Sequence, residues 1–130
     1  MPKVKQISAW VEDRPGMLGR VADALGEKKV NIRAFMAVVM DGRGFVRVVV
    51  DKPALARRIF SRHGWQTTED DLVEIAIPDR PGALGRIADR LGAAGINVQY
   101  AYVGTARSAT RVNLYLAVHD PAAALKALRK

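Results

Sequence analysis

The stretch DRPGMLGR at residues 13–20 recurs as DRPGALGR at residues 79–86. The match continues without a gap, and VNI at residues 30–32 corresponds to INV at residues 96–98. A repeat at a fixed spacing shows that a chain contains copies of one structural unit. We therefore predict two tandem units, with domains over residues 1–69 and 70–130.

The composition is that of a globular protein, with 49% hydrophobic and 26% charged residues in 130. A unit of about 65 residues buries only about 60% of its unfolded surface and is marginally stable alone, which favours a shared interface and a homodimer. The chain has no Cys, which excludes disulfides and thiol chemistry. No apolar run is long enough to span a membrane and no signal core opens the sequence, so we expect a cytoplasmic protein.

The net charge of +8 is concentrated in the first half of the chain. Residues 1–66 hold 13 Lys and Arg against 6 Asp and Glu, whereas residues 67–130 hold 8 against 7. An uneven positive charge indicates either an anionic partner or a solvated basic surface. The charge alone does not decide between the two.

The hydrophobic periodicity predicts the order β-α-β-β-α-β in the first unit and the same order without the last strand in the second. The predicted strands cover residues 4–11, 31–40, 45–50, 65–68, 72–77, 97–105 and 110–118. The predicted helices cover residues 17–28 and 83–94 and follow Pro53 and Pro121. This order is that of the ferredoxin-like α+β fold, in which an antiparallel sheet carries both helices on one face.

Helical spacing predicts that the first helix of each unit turns three apolar residues inward. These are Leu18, Val21 and Leu25 in the first unit, and Leu84, Ile87 and Leu91 in the second. Strand alternation places Trp10, Phe45, Arg47, Asn113 and Tyr115 on the sheet face away from the helices. That face carries enough apolar groups to pack against a partner unit or to bind a flat ligand.

The repeated loop joins the first strand of each unit to its first helix. Pro fixes φ near −65° and Gly accepts a positive φ, so Arg14-Pro15-Gly16 and Arg80-Pro81-Gly82 suit a type II turn. The following helix start offers unpaired N–H groups that can bind a carboxylate or phosphate. Asp13 and Asp79 either hold an ammonium group or cap the turn. The loop is thus either a site for a free amino acid or simply a stable turn.

The combination of this loop, the βαββαβ order and the Val/Ile-Asn-Ile/Val strand start resembles the ACT domain. The resemblance covers both units, so the chain is similar to a tandem ACT-domain protein. It implies a regulatory protein without catalytic activity that binds a free amino acid between paired units. Since ACT domains are often fused to the enzyme they regulate and none is found here, the resemblance implies a sensor or regulatory subunit that regulates amino-acid metabolism through another protein, such as a metabolic enzyme.

The resemblance assigns the ligand to the strand–helix loop and to the start of the second strand of the same or a neighbouring unit. Asn31 and Asn97 either contact the ligand or satisfy the backbone at the strand start. The implied ligand-binding residues are Asp13, Arg14, Pro15, Gly16, Met17, Leu18, Asn31 and Ile32, with their repeats Asp79, Arg80, Pro81, Gly82, Ala83, Leu84, Asn97 and Val98.

An RNA-binding protein is the alternative, because RNA recognition motifs share this element order and use aromatic residues on the open sheet face. Arg43-Gly44-Phe45 begins like the RNP1 signature, but Val46 and Arg47 then depart from it. A further alternative is a regulatory adaptor with no ligand. His63 and His119 belong to no spaced metal or catalytic motif, so we expect no enzyme activity, metal or cofactor.

Overall fold

A computed structural model describes residues 3–129 of the chain. Within them lie six strands and four helices. In chain order they are β1 Lys3–Val11, α1 Met17–Glu27, β2 Ile32–Met40, β3 Arg43–Val50, α2 Pro53–Arg62, β4 Gln66–Pro78, α3 Ala83–Ala93, β5 Val98–Ala106, β6 Arg111–Val118 and α4 Pro121–Leu128. None of the helices in residues 3–129 has the length and apolar character needed to cross a bilayer.

The chain divides into two compact units, one of residues 5–70 and one of residues 71–129 together with Lys3 and Val4. In the first unit β3 lies between β2 and β1 and is antiparallel to both. In the second unit β6 lies in the same way between β5 and β4. The ferredoxin-like prediction is confirmed, and no strand follows α4 in the described residues. The domain boundary after residue 69 stays a prediction.

The predicted break between two strands after residue 68 is absent, because Gln66–Pro78 forms a single strand. The sequence analysis separated a strand over residues 65–68 from another over residues 72–77. The intervening residues, Glu69, Asp70 and Asp71, are charged but extended, and they contain neither Gly nor Pro. A run of acidic residues breaks the apolar alternation without breaking the strand.

The hydrophobic core of each unit lies between its sheet and its two helices. In the first unit Val46, Val48 and Val50 of β3 face the helices and lie in one core cluster with Val21 and Leu25 of α1. In the second unit the corresponding cluster comprises Val73, Ile75, Ile77, Ala83, Leu91, Leu114, Leu116, Val118, Ala124, Leu125 and Leu128, with Ile87 and Val112 packed against it.

The predicted inward positions of Leu18 and Leu84 are wrong. Their side chains are 50% and 52% exposed, and the preceding residues, Met17 and Ala83, are buried instead. Each leucine lies in the first turn of its helix. Helical periodicity predicts which residues share one face of a helix. It does not predict how far along the helix the core below that face extends.

Candidate functional site

The repeated loop forms the predicted type II turn in both units. Gly16 has φ 90° and ψ −9°, and Gly82 has φ 86° and ψ −12°, the left-handed conformation that this turn requires at its third residue. The Met17 N–H donates to the Arg14 carbonyl oxygen at 3.3 Å, and the Ala83 N–H donates to Arg80 at the same distance. Each helix therefore starts directly at a glycine with no side-chain cap.

The turn leaves amide donors available at the start of α1. Among residues 3–129, no backbone acceptor receives the N–H groups of Gly16, Leu18 or Gly19. The Met17 amide is not among these donors, because it closes the turn. These open N–H groups and the positive end of the helix dipole favour an anion beside the turn.

A groove of about 350 Å³ lies beside this turn in the first unit. Ligand pockets typically have volumes of about 300–1,000 Å³, so the groove suits a small ligand. Its walls combine the loop and the start of α1 with the adjacent ends of β2 and β3. The lining residues are Val11, Glu12, Asp13, Arg14, Met17, Leu18, Ala37, Val38, Val39, Gly44, Phe45 and Val46.

The rim of the groove carries charges of both signs. The Arg14 Nε donates to Glu12 Oε2 at 3.0 Å, and Asp13 lies between them in the chain. The side chains of Arg14 and Glu12 are 50% and 73% exposed, so the pair contributes little to stability. The same charges are available to the carboxylate and ammonium groups of a zwitterion.

The structure does not bring Asn31 and Ile32 to this groove within the unit. Ile32 pairs with Val50 at one end of β3, whereas Val11 pairs with Gly44 at the other. Six residues of strand separate the two ends, which corresponds to about 20 Å. Asn31 instead exchanges backbone contacts with Asp51, since its N–H donates to Asp51 Oδ1 at 2.9 Å and its carbonyl accepts from the Asp51 N–H.

The second unit repeats this separation. Val98 pairs with Val118, whereas Ile77, the residue that corresponds to Val11, pairs with Val112 at the other end of β6. Asn97 and Val98 are therefore distant from the loop over residues 79–84 in their own unit. Asp79, Arg80, Pro81, Gly82 and Leu84 are exposed on that loop and Ala83 is buried beneath it.

The sequence analysis missed the strand wall of the groove. Ala37, Val38 and Val39 lie near the end of β2, and Gly44 lies near the start of β3. The predicted strands over residues 31–40 and 45–50 left Gly44 in the connection between them, but the turn consists of Asp41 and Gly42 alone, with φ 53° and 73°. Two residues of positive φ complete a hairpin turn, so Arg43 and Gly44 already belong to the strand.

The aromatic residues expected on the open sheet face are not available to stack on RNA bases. Phe45 is 6% exposed and Tyr115 is fully buried. Trp10 lies 4.4 Å from Phe45 and beneath the Arg43 guanidinium, which occupies its face. Single-stranded RNA recognition needs aromatic faces open to solvent, so this surface does not support the RNA-binding alternative. Among the described residues, no group of three His, Asp or Glu side chains is placed to hold a metal ion.

Solved structures with the same fold are known. A Bacteroides thetaiotaomicron protein is 24% identical over 98% of this chain and 87% of its own, with a TM-score of 0.88. The ligand-free regulatory subunit of aspartate kinase from Thermus thermophilus is 18% identical over 99% of this chain and 96% of its own, with a TM-score of 0.72. The corresponding Thermus flavus subunit is 19% identical, covers 96% and 90%, and gives a TM-score of 0.67. Comparison with curated proteins gives no match.

The family model of the ACT domain matches the sequence twice, over residues 5–61 and 72–130. The two matches cover most of the chain and coincide with the two structural units. They confirm the resemblance based on the repeated loop and the element order. The chain therefore belongs to the ACT-domain family and contains two ACT domains in tandem.

Proposed function

We propose that this protein is a non-catalytic regulatory sensor that binds a free amino acid in the groove of the first unit. The observation that carries the proposal is the position of that groove, which lies directly beside the glycine-opened turn and the free Leu18 amide. The ligand carboxylate would accept a hydrogen bond from the open Leu18 amide at the start of α1. The ammonium group would lie near Glu12 or Asp13 on the rim.

The walls of the groove favour an amino acid with a small apolar side chain. Met17, Leu18, Ala37, Val39 and Val46 all line the groove, and all five are apolar. A charged ligand side chain would lose hydration there without a compensating partner. The charged residues Glu12, Asp13 and Arg14 remain at the rim, where they can contact the groups common to all amino acids.

A ligand screen tests the proposal. A ligand that binds only the folded state at a hundred times its Kd stabilises that state by about 2.7 kcal/mol. In a protein of this size we expect an increase in Tm of about 10 °C, because each kcal/mol is worth several degrees. Thermal unfolding with each of the twenty common amino acids should show stabilisation by one or a few apolar ones.

Single-stranded RNA is the control in the same screen. Stabilisation by RNA with no response to amino acids would overturn the sensor and support the RNA-binding alternative. If neither amino acids nor RNA stabilise the protein, a regulatory adaptor that binds no ligand becomes the better explanation of its function. Stabilisation by charged amino acids alone would contradict the predicted apolar preference.

We further propose that the protein is a homodimer that pairs through β2. This strand is the edge of the first unit's sheet, and an edge presents unpaired N–H and C=O groups. Phe35, Val38, Val39 and Met40 on β2 are 42% to 57% exposed, whereas Val103 is the one large hydrophobic residue with comparable exposure among the described residues of β5. An apolar strand edge of this kind favours a symmetric pair with a second copy.

Phe35→Lys is expected to dissociate the dimer. A buried Phe is worth about 1.5–3 kcal/mol, and two-fold symmetry removes two of them, so the dimer Kd should rise at least a hundredfold. Light scattering coupled to size exclusion measures the change in mass. Val103→Lys is the matched control on the edge of the other sheet. Dissociation by Val103→Lys but not by Phe35→Lys would place the interface on β5.

A sensor of this kind acts through another protein, and we propose an enzyme of amino-acid metabolism as that partner. Two proteins of the same fold are regulatory subunits of aspartate kinase, which supports a regulatory role for this architecture. A ligand that binds only one association state shifts the equilibrium toward that state. Ligand binding would thereby change the surface offered to the partner.

A further inference from the structure

We infer that only the first unit binds the ligand and that Gly44 is the residue that opens its site. The inference rests on the proposed function, because it assigns the proposed ligand to one of two repeated loops. The two loops have the same turn, as Gly16 and Gly82 show by their nearly identical φ and ψ. The difference between the units must therefore lie in what surrounds the turn.

The strand residue beneath the loop differs between the units. Gly44 pairs with Val11, and Val112 pairs with Ile77, which occupies the place of Val11 in the repeat. A Cβ at Gly44 would lie 2.9 Å from Val11 Cγ2 and 3.3 Å from the Val11 carbonyl oxygen. Both Val11 and Gly44 line the groove, so a side chain at position 44 would displace Val11 and disturb the groove wall. In the second unit Val112 carries that side chain and packs against the core.

The loops also leave their sheets at different points. In the first unit the pairing of β1 with β3 ends at Val11, and Glu12 and Asp13 then separate from the strand and line the groove. In the second unit Pro78 still pairs with Arg111, and the Asp79 N–H donates to the Thr110 carbonyl oxygen at 2.8 Å. Within the described residues, no such bond joins the Asp13 N–H to its hairpin.

The smaller strand residue and the earlier release of the loop both favour a groove in the first unit. In the first unit the strand residue is small and the loop is released from the sheet, so a groove forms between them. In the second unit the strand residue is larger and two more loop positions are held against β6. The second loop thus keeps the turn but stays bonded to its own hairpin as far as Asp79.

Isothermal titration of the full chain with each of the twenty common amino acids tests the inference. We expect one molecule bound per chain for any amino acid that binds. Gly44→Val should weaken that binding at least tenfold, because the added Cβ would lie 2.9 Å from Val11 Cγ2 and force this groove-lining residue to move. Val112→Ala, which removes bulk from the other unit, should leave the Kd unchanged. Circular dichroism checks that each variant is folded.

The outcomes separate the inference from the proposed function. Two molecules per chain, or an unchanged Kd in folded Gly44→Val, would overturn the inference while supporting an amino-acid sensor. No binding by any amino acid would overturn both. If Gly44→Val does not fold, Gly44→Ala is the smaller substitution to use, and the stoichiometry of the wild-type chain decides the question without any variant.

Discussion

Gly16→Val is expected to abolish ligand binding. Gly16 has φ 90°, and a β-branched residue in the left-handed region costs at least about 1–2 kcal/mol. An added Cβ meets no atom within 4 Å, so the cost is backbone strain rather than a clash. Relief of this strain would open the turn that the Met17 amide closes and shift the start of α1, with the open Leu18 amide, relative to the groove. Titration calorimetry should show either no measurable binding or a Kd at least tenfold higher than that of the wild-type chain.

Gly82→Val is the matched control, because Gly82 has φ 86° and its Cβ likewise has open space. Both variants should lose a similar amount of stability, measured by urea unfolding. Only Gly16→Val should lose binding, since the loop of the second unit is closed by our inference. Equal losses of binding in the two variants would show that both loops contribute to ligand sites. If Gly16→Val binds the ligand as tightly as the wild-type chain, the turn does not contribute to the binding site.

The turn was predictable from the sequence because its determinants are local. A Pro that fixes φ and a Gly that accepts a positive φ are adjacent in the chain, and no distant contact is needed to combine them. Asp120 is a second example, since its Oδ1 accepts from the Ala123 N–H at 3.1 Å as expected of a residue before a Pro-initiated helix. The β-α-β-β-α order followed from periodicity in the same way.

The groove itself was not predictable to the same extent. Its outer wall consists of Ala37, Val38 and Val39, whose distance from the loop is set by strand register. Register depends on the length of the hairpin turn, and Asp41-Gly42-Arg43-Gly44 permits either a two-residue or a four-residue turn. The choice of the shorter turn moved Gly44 into the strand and beneath the loop.

The face of the sheet away from the helices shows a further limit of sequence analysis. Strand alternation correctly placed Phe45, Asn113 and Tyr115 on that face, but it did not predict that all three are buried. Glu74 is also buried, and neither its charge nor its position in the otherwise apolar run of residues 72–77 predicted this. A buried carboxylate is stable only where hydrogen-bond donors converge on it, and those donors come from distant parts of the chain.

Tyr115→Phe is expected to lower the free energy of unfolding by about 1.5–3 kcal/mol, the usual contribution of a hydrogen bond to a charged group. The Tyr115 O–H donates to Glu74 Oε2 at 2.7 Å, and the tyrosine is fully buried. The Arg107 guanidinium donates to Glu74 Oε1 at 3.1 Å and, through Nε, to Asn113 Oδ1 at 2.8 Å. Phe keeps the ring in place, so the loss reports the hydroxyl alone. Urea unfolding measures the difference.

A double-mutant cycle with Glu74→Gln tests whether the stability lost in Tyr115→Phe comes from the hydrogen bond between Tyr115 and Glu74. If the hydroxyl acts through the carboxylate, its removal costs less once Glu74 carries no charge, and the two changes should be non-additive by about 1 kcal/mol or more. Additive losses would show that the Tyr115 hydroxyl is stabilised by other groups.

The hydrogen bonds of Glu74 also connect Arg107 and the β5–β6 hairpin to β4. Weakening them should release the second loop from this hairpin before the first loop is affected. Hydrogen exchange should therefore show faster exchange at the Asp79 amide, which bonds to that hairpin, in Tyr115→Phe than in the wild-type chain.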